Sequence, residues 1–254
     1  MKGAFSILGF LFFLAGLSFF IDYDPYFINL TESFALPSWS HPFGLDENGQ
    51  GLFLQILYGI RVSLIITTVV VSLSFFIGLI VGTVSGYLEG WIEMILMALV
   101  DLVLAFPKFL MALALISMLE NSIFNLIFAL TFSTWAGFAR LIRTEVKHLK
   151  KREFVLQSKS NGASSIFLIY RHIWPNLLGV SFIHGLFQVA GVLIAESGLS
   201  FLGLGISIEK PSLGSLLGMG RNHIFLAPHI ILFPSLILFL LLFSVNKIAD
   251  SLKR

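Results

Sequence analysis

The chain has no cysteine, which removes disulfides, thiolate metal sites, a lipoprotein anchor and cysteine catalysis together. Charge is scarce as well: Asp, Glu, Lys and Arg make up 12% of 254 residues, and a formal net charge of +2 gives no ground for nucleic-acid binding. No Gly-Lys pair occurs, so the Walker A pattern is missing and a P-loop for ATP is excluded. No Ser/His/Asp cluster, metal-ligand spacing or pair of carboxylates stands in any apolar block, so neither a catalytic nor a metal site is predicted. What is plentiful is apolar surface: 57% hydrophobic residues, 27 Phe among them, and a mean hydropathy of +0.93. Water would not keep such a chain dispersed; the composition is that of an integral membrane protein in contact with the lipid bilayer.

A helix needs about 20 apolar residues to cross the hydrocarbon core. Such blocks lie at 4–21, 62–84, 107–119, 123–139, 177–195 and 229–246, predicting an all-α integral membrane protein of about six transmembrane helices. The first block runs into Ile21, Asp22 and Tyr23 with no small-residue cleavage pattern, so it reads as a retained anchor in preference to a cleaved signal peptide. It opens an N-terminal unit, 1–40, ahead of a transmembrane domain, 41–254. Basic residues collect in one loop, at Arg140, Arg143, Lys147, Lys150, Lys151, Arg152, Lys159 and Arg171, and again in the tail at Lys247, Lys253 and Arg254. Short cytoplasmic loops keep positive charge, so this loop and both termini are expected inside, with 22–60 and 199–228 outside.

From Leu88 to Glu120 a single helix would be roughly 48 Å long, against a bilayer core of about 30 Å. Pro107 is where it should break, because the proline pushes Phe106 away from helical geometry; an oblique helix over 91–105 is expected before the span proper. Asp101 and Lys108 flank the break. A charge inside the membrane costs a few kcal/mol, so Asp101 is expected to face protein or water, either tying neighbouring backbone or taking part in gating. Lys108 is expected to snorkel to the inner interface. Ser74, Gly78, Gly82 and Gly86 recur every fourth residue, giving the second span a small-residue face for close helix packing rather than a phosphate cradle. In the fifth span Ser181, His184, Gly185, Gln188, Gly191 and Glu196 fall within an arc of roughly 140° at 100° per residue. That face serves either a neighbouring helix or a solute pathway.

The basic loop has a pattern of its own. Polar and apolar residues alternate at helical spacing from Arg140 to Lys159, Gly162 can take the left-handed conformation that ends a helix, and Ser164 can cap the next one. The expectation is helix, sharp corner, helix, with Ile166, Phe167, Ile169 and Tyr170 on the apolar side of the second helix and a break at Pro175. Small residues at the tip, Ser158, Ser160, Gly162 and Ala163, suit insertion into a groove on another protein; resting on anionic lipid is the alternative.

EFVLQSKSNGAS at 153–164, followed by RHIWPN at 171–176, resembles the cytoplasmic EAA loop of permease subunits of ABC importers, with Gly162 and Pro175 at the family's glycine and distal proline. The likeness runs from about residue 41 to the C-terminus and is to the peptide, oligopeptide and nickel branch, in particular its dipeptide permease C type. It is carried by HPFGLD at 41–46, YGIRVSL at 58–64, DLVLAFP at 101–107, ARLIRTEV at 139–146, ESGLSFLGLG at 196–205 and PSLG at 211–214. The chain departs from that pattern at Leu156, Gln157 and Ser158, where Glu-Ala-Ala is usual, at Gln50 and Gly51, where Arg-Asp is usual, and at Leu213, where Trp is usual.

The resemblance implies a type I ABC importer permease fold with a cytoplasmic coupling helix, in a bacterial or archaeal cytoplasmic membrane. Such a chain supplies half of a solute pathway. Its implied partners are a second homologous permease subunit, two ABC ATPase subunits that bind ATP and Mg, and an extracytoplasmic solute-binding protein; no cofactor is expected in this chain itself. ATPase coupling is implied for a loop of about 145–175, at Glu153, Phe154, Leu156, Gln157, Ser158, Asn161, Gly162, Ala163, Ser164, Arg171 and Pro175. Asp101, Ser181, His184, Gln188 and Glu196 are the candidate pathway residues. Asp46, Gly203 and Gly205 are candidates in outer segments that meet the binding protein or pack inside an outer gate. Di- or oligopeptides are the solutes expected from this branch; nickel, nickel chelates or opine-like solutes are the alternative, although the six His residues show no ligand spacing. An ATP-independent channel or secondary carrier would need an ion relay, for which Asp101 and Glu196 are too few and too separated in sequence.

Overall fold

The computed structural model describes residues 26–205 and 211–253, with Gly9, Phe13, Gly16 and Asp24. Apart from three of those positions, the expected anchor at 4–21 lies outside the described residues. Residues 26–51 form an irregular segment with one 3-10 turn at Leu30–Glu32 and an isolated antiparallel bridge between Leu45 and Gly51. Everything after it is helical or a connection between helices, and no strand occurs among the described residues.

Helices α1 (Leu52–Leu88) and α4 (Ile123–Leu149) form the axis of the bundle. Gly78 lies against Phe138 and Ala139, Gly82 against Ala139 and Ile142, and Gly86 against Arg143 and Val146. A Cβ at Gly82 would stand 2.6 Å from Ala139 O, so glycine is what lets the two backbones meet. The small-residue face is a packing surface, as the sequence predicts, and the order of its contacts makes the two helices parallel.

Parallel neighbours need a return crossing between them. It is made by α2 (Gly90–Leu104) and α3 (Lys108–Ser117), bent by 83° across the break. Glu89 and Gly90, at φ of 55° and 66°, turn the chain into α2, and Pro107 separates the two pieces where the sequence expects. How the crossing is shared differs from expectation. The 10 residues of α3 reach only about 15 Å, half of a bilayer core, so α3 is not a span on its own. α2 supplies the rest by running antiparallel to α4: Glu93 meets Arg143 and Lys147, and Asp101 meets Arg140. Further along, Ile116 of α3 shares a core with Leu126 and Leu130.

Then come α5 (Glu153–Ser160), α6 (Ser165–Leu168), a π turn at Ile169–Ile173, α7 (Trp174–Phe201), α8 (Leu213–Asn222) and α9 (His229–Leu252). Residues 165–201 form one continuous apolar stretch, so Pro175 does not break the chain, contrary to the sequence expectation. The π turn just ahead of it is the reason. Its wider i→i+5 bonding accommodates the ring and the missing N–H, and Asn176 Nδ2 donates to His172 O at 2.6 Å. Four described stretches, Leu52–Leu88, Ile123–Leu149, Ser165–Phe201 and His229–Leu252, are long and apolar enough to cross a membrane, and the α2–α3 pair adds the return crossing.

Short helix α8 is wedged into the end of the bundle away from the basic residues. Gly214 lies on the backbone of Ser197, Gly218 on Phe201 and Gly220 on Ile231. Its Leu213 and Leu216 join Leu52, Ile56 and Ile60 of α1, Leu193 of α7 and Leu241 of α9 in one buried core.

Candidate functional site

At the basic end, the loop becomes a projection. Helix α5 ends at Ser160 with Asn161 as its C-cap, Gly162 takes φ +86°, and Ser164 Oγ accepts from Phe167 N at 3.3 Å to open α6. Among these residues only Val155 and Leu168 are buried. Glu153, Phe154, Leu156, Gln157, Asn161, Gly162, Ser164, Arg171 and Pro175 are exposed, and Ser158 and Ala163 are half-buried. Large apolar side chains stand in the open here: Phe154, Leu156, Ile166 (70% exposed), Phe167 and Tyr170. With Lys151, Arg152, Lys159 and Arg171 around them, they have the character of a docking surface.

The projection is firmly rooted. Trp174 Nε1 donates to Thr83 Oγ1 at 3.1 Å, and Lys150 Nζ to Tyr87 O at 2.8 Å, so both of its flanks are tied to α1. The rings of Phe154 and Phe167 both lie against His172, fastening α5 and α6 to the π turn. Glu93 of α2 bonds Arg143 Nε at 2.6 Å and Lys147 Nζ at 2.5 Å on α4. The corner is thereby tied to α1 and runs on through the π turn into α7.

The candidate pathway residues do not form one site. Asp101 pairs with Arg140 at the basic end, with side chains 63% and 52% exposed, so it faces protein and water as expected. Ser181 is buried and lines, with Val71, Phe75, Phe138, Phe182 and Gly185, an apolar groove of about 590 Å³ between α1 and α7. His184 and Gln188 instead meet Lys108. Lys108 Nζ donates to Gln188 Oε1 at 3.0 Å, and Gln188 Nε2 donates to His184 Nε2 at 2.9 Å. The imidazole stands edge-on to Phe138 with centroids 4.9 Å apart. Gly137 makes room for this cluster, since a Cβ there would lie 3.2 Å from Gln188 Nε2. Lys108 therefore does not snorkel: an amide acceptor on α7 takes its ammonium instead.

Glu196 lies apart from all of these, fully buried at the α8 end. Its Oε2 accepts from Ser63 Oγ at 3.0 Å and Ser197 Oγ at 3.3 Å, its Oε1 from Ser200 Oγ at 3.0 Å, and the Ser212 hydroxyl adds a fourth bond. Ser63 Oγ in turn accepts from Leu213 N at 3.2 Å, and Ser212 and Ser215 cap α8 reciprocally. One carboxylate ties α1, α7 and the start of α8 into a satisfied network. Asp46 does the same for the segment before α1: its Oδ1 accepts from Asn48 N at 2.9 Å and Gln50 N at 2.7 Å, and its Oδ2 from Gln55 Nε2 at 2.6 Å. Gly203 sits at φ +80°, and Gly205 is packed against Ser200. All three positions thus serve the local backbone: Asp46 by accepting its hydrogen bonds, Gly203 by its positive φ and Gly205 by its close packing.

The family described as the binding-protein-dependent transport system inner membrane component matches residues 74–254. The chain belongs to that family. This permease is 32% identical over 235 residues to a putative peptide permease protein of Brucella ovis, covering 92% of this chain and 78% of that one. It is 34% identical over 234 residues to the glutathione transport system permease protein GsiD of Escherichia coli O157:H7, covering 92% and 75%. Its fold is similar to that of the MetNI methionine ABC transporter in an inward-facing conformation (CY5 native crystal form), with a TM-score of 0.59 at 15% identity over 79% of this chain and 97% of that one. The protein is thus an all-helical ABC importer permease of the membrane, a transport subunit and not an enzyme.

Several residues that organise this permease are silent in its sequence. Ser63 is one serine in an apolar helix, and only the fold brings it to Glu196, 133 positions away. Trp174 and Thr83 meet across 91 positions. Lys108 left a signal, a lone cation opening an apolar block, but its partner Gln188 lies 80 positions on.

Proposed function

We propose that this permease forms half of the pathway of an ATP-driven importer for di- or oligopeptides. A second homologous permease forms the other half, two ABC ATPase subunits bind ATP and Mg on the cytoplasmic side, and an extracytoplasmic binding protein delivers the solute. The observation that carries the reading is the corner at 153–168: exposed, apolar on both sides of its small-residue tip, and tied through its flanks by side-chain bonds to the membrane helices. ATPase closure pushes this corner, and the rigid roots turn the push into rocking of α1 and α7 about the pathway. The excess of Lys and Arg at this end supports a cytoplasmic corner, with both termini on the same side. Relatives named for peptides and for glutathione, itself a peptide, favour peptides over nickel chelates.

The test is to tag the chain, solubilise it gently from its native membrane and identify by mass spectrometry what stays bound. A homologous permease and P-loop ATPases are the expected companions, and reconstitution with them should give ATP-dependent dipeptide uptake. The chain recovered alone, moving solute without ATP, would overturn the reading in favour of a carrier.

A further inference from the structure

Lys108 is in an unusual position for a lysine. It opens α3 immediately after the Pro107 break, and its ammonium reaches Gln188 beside Gly137, one turn before the first basic residue of α4, Arg140. This is inside the apolar part of the bundle: Gln188 lies near the middle of the apolar stretch of α7. Yet Lys108 remains exposed at the surface of the single chain. Among the described residues no carboxylate lies within 4.0 Å of it, whereas Arg140, Arg143, Lys147 and Lys150 are all paired with acids. A surface of that kind cannot face lipid, because an ammonium in hydrocarbon costs several kcal/mol. It faces either water in the pathway or the second permease.

The hydrogen bonds favour the water. An ammonium has three donors, and one is used on Gln188 Oε1. The Gln188 amide is held from its other side by His184, and His184 by Phe138, so the acceptor is fixed and the ammonium is aimed. Two of its donors are left for a group that comes and goes. We infer that Lys108, positioned by Gln188 and His184, is a solute-reading residue of the pathway that pairs with the carboxylate of a passing peptide. This rests on the peptide-import reading above and adds to it a chemical class: solutes with a free carboxylate, in preference to their neutral counterparts.

The assembled importer, with its second permease, ATPases and binding protein in proteoliposomes, is the material for the test. Uptake of alanyl-alanine and of its C-terminal amide is measured for the native importer, Lys108→Gln and Lys108→Arg. The substitutions leave the binding protein unchanged, so the ratio of variant to native uptake for each peptide cancels that protein's own preference. Lys108→Gln should lower uptake of the free acid about tenfold, the scale of one lost charge-assisted hydrogen bond, and that of the amide less than about twofold. Lys108→Arg should keep the preference for the acid. An equal fall for both peptides, the signature of packing or of a pairing with the second permease, overturns the inference, and so does no fall for either. Lys108→Cys gives an independent readout, because the chain has no other cysteine. Its thiol should react with a water-soluble methanethiosulfonate in either the nucleotide-free or the ATP-bound importer, and a thiol unreactive in both states places position 108 away from the pathway. A native importer that moves no dipeptide with ATP overturns the peptide reading itself.

Discussion

At the end that carries α8, the Glu196 carboxylate is fully buried and met by serine hydroxyls from three elements, while at the basic end Phe154, Leu156, Ile166, Phe167 and Tyr170 stand in the open. The first region has its partners within the chain. The second has its roots within the chain and its contact surface outside it. The Glu196 carboxyl group is buried and satisfied, since an unmet buried group is costly; the apolar side chains of the corner are left uncovered, as on an interaction surface. Stability should therefore reside at the α8 end and coupling at the corner, and substitutions can separate the two.

The sharpest separation should come from Gly162→Asp. A side chain at φ +86° carries about 1–2 kcal/mol of backbone strain, and the added charge sits where a partner must seat. Uptake by the assembled importer should fall to background while the chain's abundance in the membrane, read by immunoblot, stays normal; normal uptake at normal abundance would end the assignment of the corner. Next in size is Glu196→Ala, which strips the acceptor from Ser63, Ser200 and Ser212 and should cost about 3 kcal/mol. The thermal melt of the purified chain would register it, with Glu196→Gln giving a smaller loss. An unchanged melt for the alanine variant would mean that the α8 end is held by packing alone.

Ile166→Ala tests the other half of the comparison. With 70% of its surface open, Ile166 contributes little to the chain's own stability, so the melt should not move, while retention of the ATPase should weaken about tenfold, the scale of one truncated interface anchor. A lowered melt with intact retention would reverse the roles of the two ends. The smallest effect belongs to Arg140→Gln. Both partners of the Asp101–Arg140 pair are more than half exposed, so screening by water should keep the stability change below about 1 kcal/mol, with uptake within about twofold of native. A tenfold loss of uptake would instead give Asp101 the gating role that its place beside the break leaves open.

Much of this architecture could be read from local signals. A proline at 107 forbids a helical N–H, a glycine at 162 admits positive φ, a serine at 164 caps the helix after it, and a stripe of small residues from Ser74 to Gly86 admits a close neighbour; each acts within a few residues of itself. Pro175 was misleading for the same reason, because the compensation comes from hydrogen bonding across the five-residue π turn before it, which leaves no mark in residue type. The polar face of α7 was legible as a face but not as three separate places. Ser181 looks into the groove toward α1, His184 and Gln188 turn to Lys108, and Glu196 goes to Ser63, and these assignments depend on which helix lies opposite at each level.

The parallel pairing of α1 with α4 bears on how the protein is made. α1 leaves the ribosome with its glycine stripe finished, but the surface that fits it is not synthesised until residues 123–149, after the bent return leg. At about 5–20 residues per second, the stripe waits for seconds without its partner. During that wait any other membrane helix with a flat side competes for it. The chain's own assembly is thus most vulnerable before α4 emerges, and stalled synthesis between residues 89 and 122 should leave α1 as a substrate for membrane quality control.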